Sequence, residues 1–201
     1  MTMRLGDSLP KEVLLKFLAE KAERLRRIEI QRAHNRNLPD PKPLDDSEEA
    51  IERDYFRRVE RYLDKGMGEC VLRRQDIAEL VAGALRFFVN QRYHLDAWVI
   101  MPNHVHVVFW PMPNHTVSDI TKSWKQYTAK RANLILKRAG TSLWQREPFD
   151  HWIRNDEEHA RCCRYVVWNP AKACLCADPA NWRWSSAWKG QQSMNGAAPV
   201  L

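Results

Sequence analysis

His104-Val105-His106-Val107-Val108-Phe109-Trp110, entered through Met101-Pro102-Asn103, is the stretch from which the rest of the chain can be read. The run is rich in β-branched and aromatic residues and predicts a strand whose side chains alternate between two sheet faces. His104 and His106 then point the same way, and Val105, Val107 and Phe109 pack the other face. Two imidazoles one residue apart can place two nitrogens on one divalent cation. The triplet alone fits equally a pair of partly exposed histidines on a sheet surface. Leu95 to Met101 reads as a second strand, and Pro102-Asn103 as the turn of an antiparallel hairpin that sets the histidines at the start of their strand.

Helices flank this hairpin. Asp76 opens one whose apolar stripe is Ile77, Leu80, Val81, Ala84, Leu85 and Phe88. Thr116 and Asp119 have capping-box spacing and announce another that continues to about Arg138. On that helix Ile120, Trp124, Tyr127, Arg131, Leu134 and Ile135 share a face, and Lys122, Lys125, Lys130 and Arg131 make its surroundings cationic, suited to a phosphodiester. Leu143 to Arg154 mixes aromatic and basic residues, Arg146 among them, and reads as strand or extended chain. Asn155 caps a further helix through Trp168, which Asn169-Pro170 is expected to stop. Trp182 to Ser186 adds another aromatic cluster.

Toward the N-terminus, Ser8-Leu9-Pro10 predicts a capped helix start, followed by an amphipathic helix with Lys21, Arg24, Arg26 and Arg27 on its polar face. Those cations suit a phosphate-facing arm or a merely solvated face. The three prolines between Leu38 and Asp46 mark a linker. A charged helix follows from about Ser47 to Asp64, closed by Gly66 and Gly68. After Lys189 the chain is too poor in large apolar groups to order itself and reads as a tail over 189–201.

The 201 residues suffice for one ordinary domain with extensions, and 44% of them are hydrophobic. No stretch approaches the roughly 20 apolar residues of a membrane span, and no apolar signal segment opens the chain. The five cysteines form no regular framework, so free thiols and a cytoplasmic setting are expected. A net charge of +7 and nine tryptophans point to a polyanionic partner whose bases can stack.

Segments WVIMPNHVHVVF (98–109), SWKQYTAKRAN (123–133), LWQREPFDHWIR (143–154), YVVWNPAKA (165–173) and WRWSSA (182–187) occur in the order, and with the character, of the REP-associated tyrosine transposases, and the chain resembles that family. RLGDSLP (4–10) and AELVAGALRFF (78–88) extend the resemblance over nearly the whole sequence. The family belongs to the single-tyrosine HUH, insertion-sequence-like transposases.

The resemblance implies an α+β fold: a ferredoxin-like antiparallel sheet with the HUH motif on a central strand, packed by helices. It implies one domain over 1–188, with residues 1–70 as a helical extension. Too little chain precedes Arg4 to expect the family's first strand. By resemblance His104 and His106 hold Mg²⁺ or Mn²⁺, and Tyr127 is the nucleophile. A third ligand in this class is often an amide one turn after the tyrosine; that position here is Arg131, and the resemblance leaves the third ligand open among Asn133, Asn103 and water, with either asparagine alternatively a supporting group. Lys122, Lys125, Arg131 and Arg146 are the expected nucleic-acid contacts. The implied activity is metal-dependent cleavage and rejoining of hairpin-flanked, REP-like single-stranded DNA through a 5′-phosphotyrosine, at the nucleoid and with a homodimer as a common arrangement. The alternative is a catalytically inactive, domesticated protein that binds such hairpins.

Overall fold

The computed structural model describes residues 1–36, 44, 46–138, 140–146 and 151–191. The expected linker at 38–46 falls almost wholly outside the described residues, as does the expected tail beyond 191. The chain forms two compact units, one of residues 1–8 and 69–201, the other of residues 9–68. The N-terminal residues thus belong with the sheet, and the helical extension is 9–68 rather than 1–70.

In the first unit β1 (Thr2–Arg4), β2 (Tyr93–Ile100) and β3 (His104–Pro111) form an antiparallel sheet in the order β1-β3-β2. The HUH strand is central, as expected. A first strand is present after all: Thr2 lies opposite His106 and Arg4 opposite His104, because three residues suffice when a long neighbour supplies the template. Next to β1, Trp144 bridges Leu5 in antiparallel fashion, with Gly6 N–H donating to Leu143 O and Gln145 N–H to Arg4 O, both at 2.9 Å. On the far edge Ile100 N–H donates to Trp184 O at 2.8 Å and Ser186 N–H to Trp98 O at 2.9 Å. Both edges are therefore partly covered, which removes open pairing sites.

α3 (Gln75–Phe87) and α4 (Val117–Ile135) cover one sheet face, where Val105 and Val107 meet Ile77, Val81, Leu85, Ile120 and Trp124. Thr116 caps α4 as expected by accepting from Asp119 N–H at 3.1 Å, and its hydroxyl donates to Asp119 Oδ2 at 2.7 Å. α5 (Asp156–Lys172) covers the opposite face, where Val166 packs with Ala97, Val99, Met101 and Val108. Asn155 caps α5 as expected, through Glu158 N–H.

The pair Asn169-Pro170 does not stop that helix. Proline sacrifices one amide bond and normally breaks a helix interior. Here it lies in the final turn, buried, and the bonds beyond it close: Ala173 N–H to Asn169 O and Leu175 N–H to Pro170 O, each 2.9 Å. Asn169 consequently stays in helical register with Tyr165.

The second unit pairs α1 (Lys11–Asn35) with α2 (Glu48–Leu63) around Leu9, Val59 and Leu63. Ser8 does not cap α1; its hydroxyl donates to Leu5 O at 2.8 Å. The basic face of α1 is largely matched by acids: Lys21 with Glu52 at 2.5 Å, Arg24 with Asp46 and with Asp54, Arg27 with Glu23. That is the solvated-face reading of these cations. Among the described residues no helix is long and apolar enough to cross a membrane.

The most demanding polar group in the α3/α4 core is Tyr93. Its buried hydroxyl donates to Leu85 O at 2.9 Å and accepts from Trp124 Nε1–H at 3.0 Å. Burial pushes this phenol up from its ordinary pKa, so it remains a neutral donor. Tyr93→Phe leaves the indole N–H buried without an acceptor and is expected to cost about 1–3 kcal/mol, read from the urea midpoint; an unchanged midpoint would show that the pair is dispensable.

Candidate active site

The two histidines occupy the α5 face of β3 and are almost wholly withdrawn from solvent, at 0% and 2% exposure. Their rings meet edge to face with centroids 4.7 Å apart, and their ring nitrogens lie within 4.8 Å of one another, close enough to share one cation.

Each ring is held from behind. His104 Nδ1 lies 2.7 Å from Asn103 Oδ1. An amide oxygen only accepts, so Nδ1 carries the proton and Nε2 the lone pair. His106 Nδ1 lies 2.9 Å from Thr2 Oγ1, while Asn169 Nδ2 approaches His106 Nε2 at 3.3 Å. The amide N–H donates, so His106 adopts the same tautomer and its Nδ1–H donates to the threonine. Orienting bonds of this kind on the far ring nitrogen are what metal-binding histidines ordinarily have.

α5 contributes the rest. The Tyr165 ring stands 5.6 Å from the His106 ring, centroid to centroid, and is half-buried. Asn169, one turn further, is buried, and its Oδ1 has no hydrogen-bond partner among the described residues. An orphaned buried oxygen is costly; a half-turn of the amide would set it beside the bare His106 Nε2, two acceptors that a cation between them would satisfy. Two imidazole nitrogens and an amide oxygen make a donor set suited to a divalent cation. Lys172 Nζ lies 5.3 Å from the centre of the Tyr165 ring.

The other expected site residues are placed differently. Tyr127 is on α4, the helix that packs on the Val105/Val107 face, and is 52% exposed. The sheet separates it from the histidines of the same unit, a correction to its expected place beside them. Lys122, Arg131 and Arg146 are exposed, the first two on α4. Lys125 is partly turned inward: its ammonium donates to the carbonyls of Gln145 at 2.7 Å and Arg146 at 3.1 Å, strapping that segment to α4. Asn133 donates to Thr141 O at 2.6 Å and serves the end of α4. Asn103 supports His104.

The sequence reading passed over Tyr165, Asn169 and Thr2. For the first two a signal was present, since Tyr165-Val166-Val167-Trp168-Asn169 has the tyrosine-to-amide spacing that Tyr127 and Arg131 lack.

Comparison with known proteins bears on this arrangement. The sequence model described as "Transposase IS200 like" matches residues 71–167, which include both histidines and Tyr165. Residues 71–167, just under half of the chain, are thus similar to the IS200-like transposases. The REP-associated tyrosine transposase of Escherichia coli K12 is 23% identical to this chain over 97 residues, 48% of this chain and 56% of that protein, so the chain matches little over half the length of this curated relative. A solved structure of a REP-associated tyrosine transposase bound to a REP hairpin aligns with 62% of this chain and 72% of its own, at 20% identity and a TM-score of 0.49.

The hydrogen bonds to the two rings yield a prediction independent of activity. With both imidazoles neutral, nitrogen-15 NMR is expected to find His104 and His106 protonated at Nδ1 and bare at Nε2; the opposite tautomer in either ring would remove the proposed lone pairs from the centre.

Proposed function

We propose that this protein is a metal-dependent transposase or endonuclease that cleaves and rejoins single-stranded DNA carrying hairpin, REP-like elements, with Tyr165 as nucleophile. The observation that carries the proposal is the packing of the Tyr165 ring on His106, with the Asn169 amide one turn beyond and against the same imidazole. A phenol, two imidazoles with their lone pairs on one side and an amide oxygen form a set that a purely structural sheet face does not require. The family of residues 71–167 supports the same chemistry.

His104, His106 and Asn169 would hold the cation, Mg²⁺ or Mn²⁺. When bound, it supplies Lewis-acid polarisation of a phosphate oxygen. The chain's own residues do the remainder. Tyr165 Oη attacks phosphorus in line; the P–O3′ bond breaks, the phenolic proton passes to solvent, and the departing oxygen takes up a proton as a free 3′-OH. The product is a 5′-phosphotyrosine, which keeps a phosphoester bond available for a later 3′-OH and needs no nucleotide cofactor. Packing of the ring on His106 limits the directions the phenol can take, and that restriction is a large part of what an enzyme contributes. Lys172, beside the ring, meets the charge of the phosphate. Exposed Lys122, Arg131 and Arg146 would contact the DNA backbone further away, and the reading places the protein at the nucleoid.

Incubation of the protein with end-labelled hairpin DNA and Mn²⁺, followed by denaturing electrophoresis, is expected to give a covalent adduct. Tyr165→Phe abolishes it and Tyr127→Phe retains it. An adduct that persists in Tyr165→Phe and disappears in Tyr127→Phe would refute the assignment, and hairpin binding without any adduct would leave a binding protein only. His104→Ala is expected to lower cleavage at least 100-fold while changing hairpin affinity less than about threefold, because affinity comes chiefly from cations and aromatic stacking. Equal loss of both would contradict this division.

A further inference from the structure

α5 has a second row of side chains beside the one that carries Tyr165 and Asn169. Residues four apart are neighbours on a helix surface, so Arg164, Trp168 and Lys172 form a row with an indole between two cations. Trp168 is 57% exposed, and Arg164 and Lys172 are exposed as well. Among the described residues no carboxylate pairs with Arg164. The acids of α5 are confined to its first turn, Asp156, Glu157 and Glu158; from His159 to Lys172 the helix has three cations, Arg161, Arg164 and Lys172, and no acid.

A single exposed apolar side chain is ordinary. An indole held in water between two cations, one helical turn from a candidate nucleophile, has the composition of a single-strand binding site, in which bases stack on aromatic faces and cations follow the backbone. A base within a duplex has both faces occupied by its neighbours, so the occupant is unpaired. The opposite helix, α4, lacks the combination: its cations are not set around an exposed tryptophan, since Trp124 is buried in the core.

We propose that Trp168 is a stacking platform for one unpaired base of the DNA next to the phosphate at Tyr165, with Arg164 and Lys172 contacting the phosphates on either side of that base. The proposal rests on the reading of Tyr165 as nucleophile for its register, though not for its chemistry. It makes Trp168 a positioning residue that selects single-stranded over paired DNA at the cleavage point.

The test is fluorescence anisotropy with a labelled hairpin bearing an unpaired tail, in EDTA so that no cleavage intervenes, with adduct formation in Mn²⁺ measured in parallel. Trp168→Ala is expected to weaken binding about tenfold, and Trp168→Phe to recover most of the loss. Abasic substitution along the tail should identify one position whose base contributes to binding by the wild type but no longer does so in Trp168→Ala. That coupling is a signature a merely structural tryptophan would not give, and an unchanged melting temperature for Trp168→Ala accompanies it. Wild-type affinity in Trp168→Ala, or abasic losses equal in both proteins at every position, overturns the platform. A platform effect without any adduct overturns the nuclease reading and leaves the platform; an adduct with no Trp168 effect does the reverse.

Discussion

The alternation of side chains along one central strand is the constraint on which the rest depends. β3 must place Val105 and Val107 in the core beneath α3 and α4, and in doing so it turns His104 and His106 to the other face. A slip of one residue would exchange the two sets, burying imidazoles among Ile77, Leu85 and Trp124 and exposing valines to the α5 side. The hydrophobic core therefore fixes the face that carries both imidazoles. The same register brings Thr2 of β1 opposite His106, with its hydroxyl 2.9 Å from Nδ1, so a three-residue strand at the start of the chain holds the ring of a residue more than a hundred positions away.

Much of this was legible from local pattern. The hairpin, the direction of the two histidines, the caps at Thr116 and Asn155 and the apolar stripe of α3 are local, and local rules were enough to find them. β1 was not legible because its pairing partner is remote in sequence: Thr2-Met3-Arg4 is too short to announce itself and is ordered by what it lies against. The Ser8 hydroxyl looked like a cap for the same local reason, yet it finds Leu5 O in a buried turn. Tyr127 stood out because cations surround it in sequence. Which sheet face its helix covers is a tertiary fact that no spacing within α4 reveals.

The choice between the two tyrosines depends on Pro170. Read locally, Asn169-Pro170 ends a helix at Trp168, which separates Asn169 from Tyr165 and hides their one-turn relationship. In the folded chain only one amide bond is lost, since the bonds on either side of the proline persist and burial of Val166 against β2 and β3 holds the helix down. Proline's usual cost of about 3 kcal/mol or more applies to helix interiors, and a last-turn position with packing on one side offsets much of it. Continuing the helix by one turn is what carries an amide to His106.

Accessibility alone would favour Tyr127 over Tyr165, the proposed nucleophile. Tyr127 is the more exposed of the two and has cations nearby, but among the described residues it makes no hydrogen bond or ring contact. An in-line displacement needs the attacking oxygen within a narrow range of positions, and a phenol that no polar or ring contact orients must be restricted at every turnover. Tyr165 is half-buried, with one ring edge on His106 and a lysine over its face, so the packing that limits its exposure also defines its direction. Tyr165, partly hidden, is therefore the phenol whose direction the fold restricts.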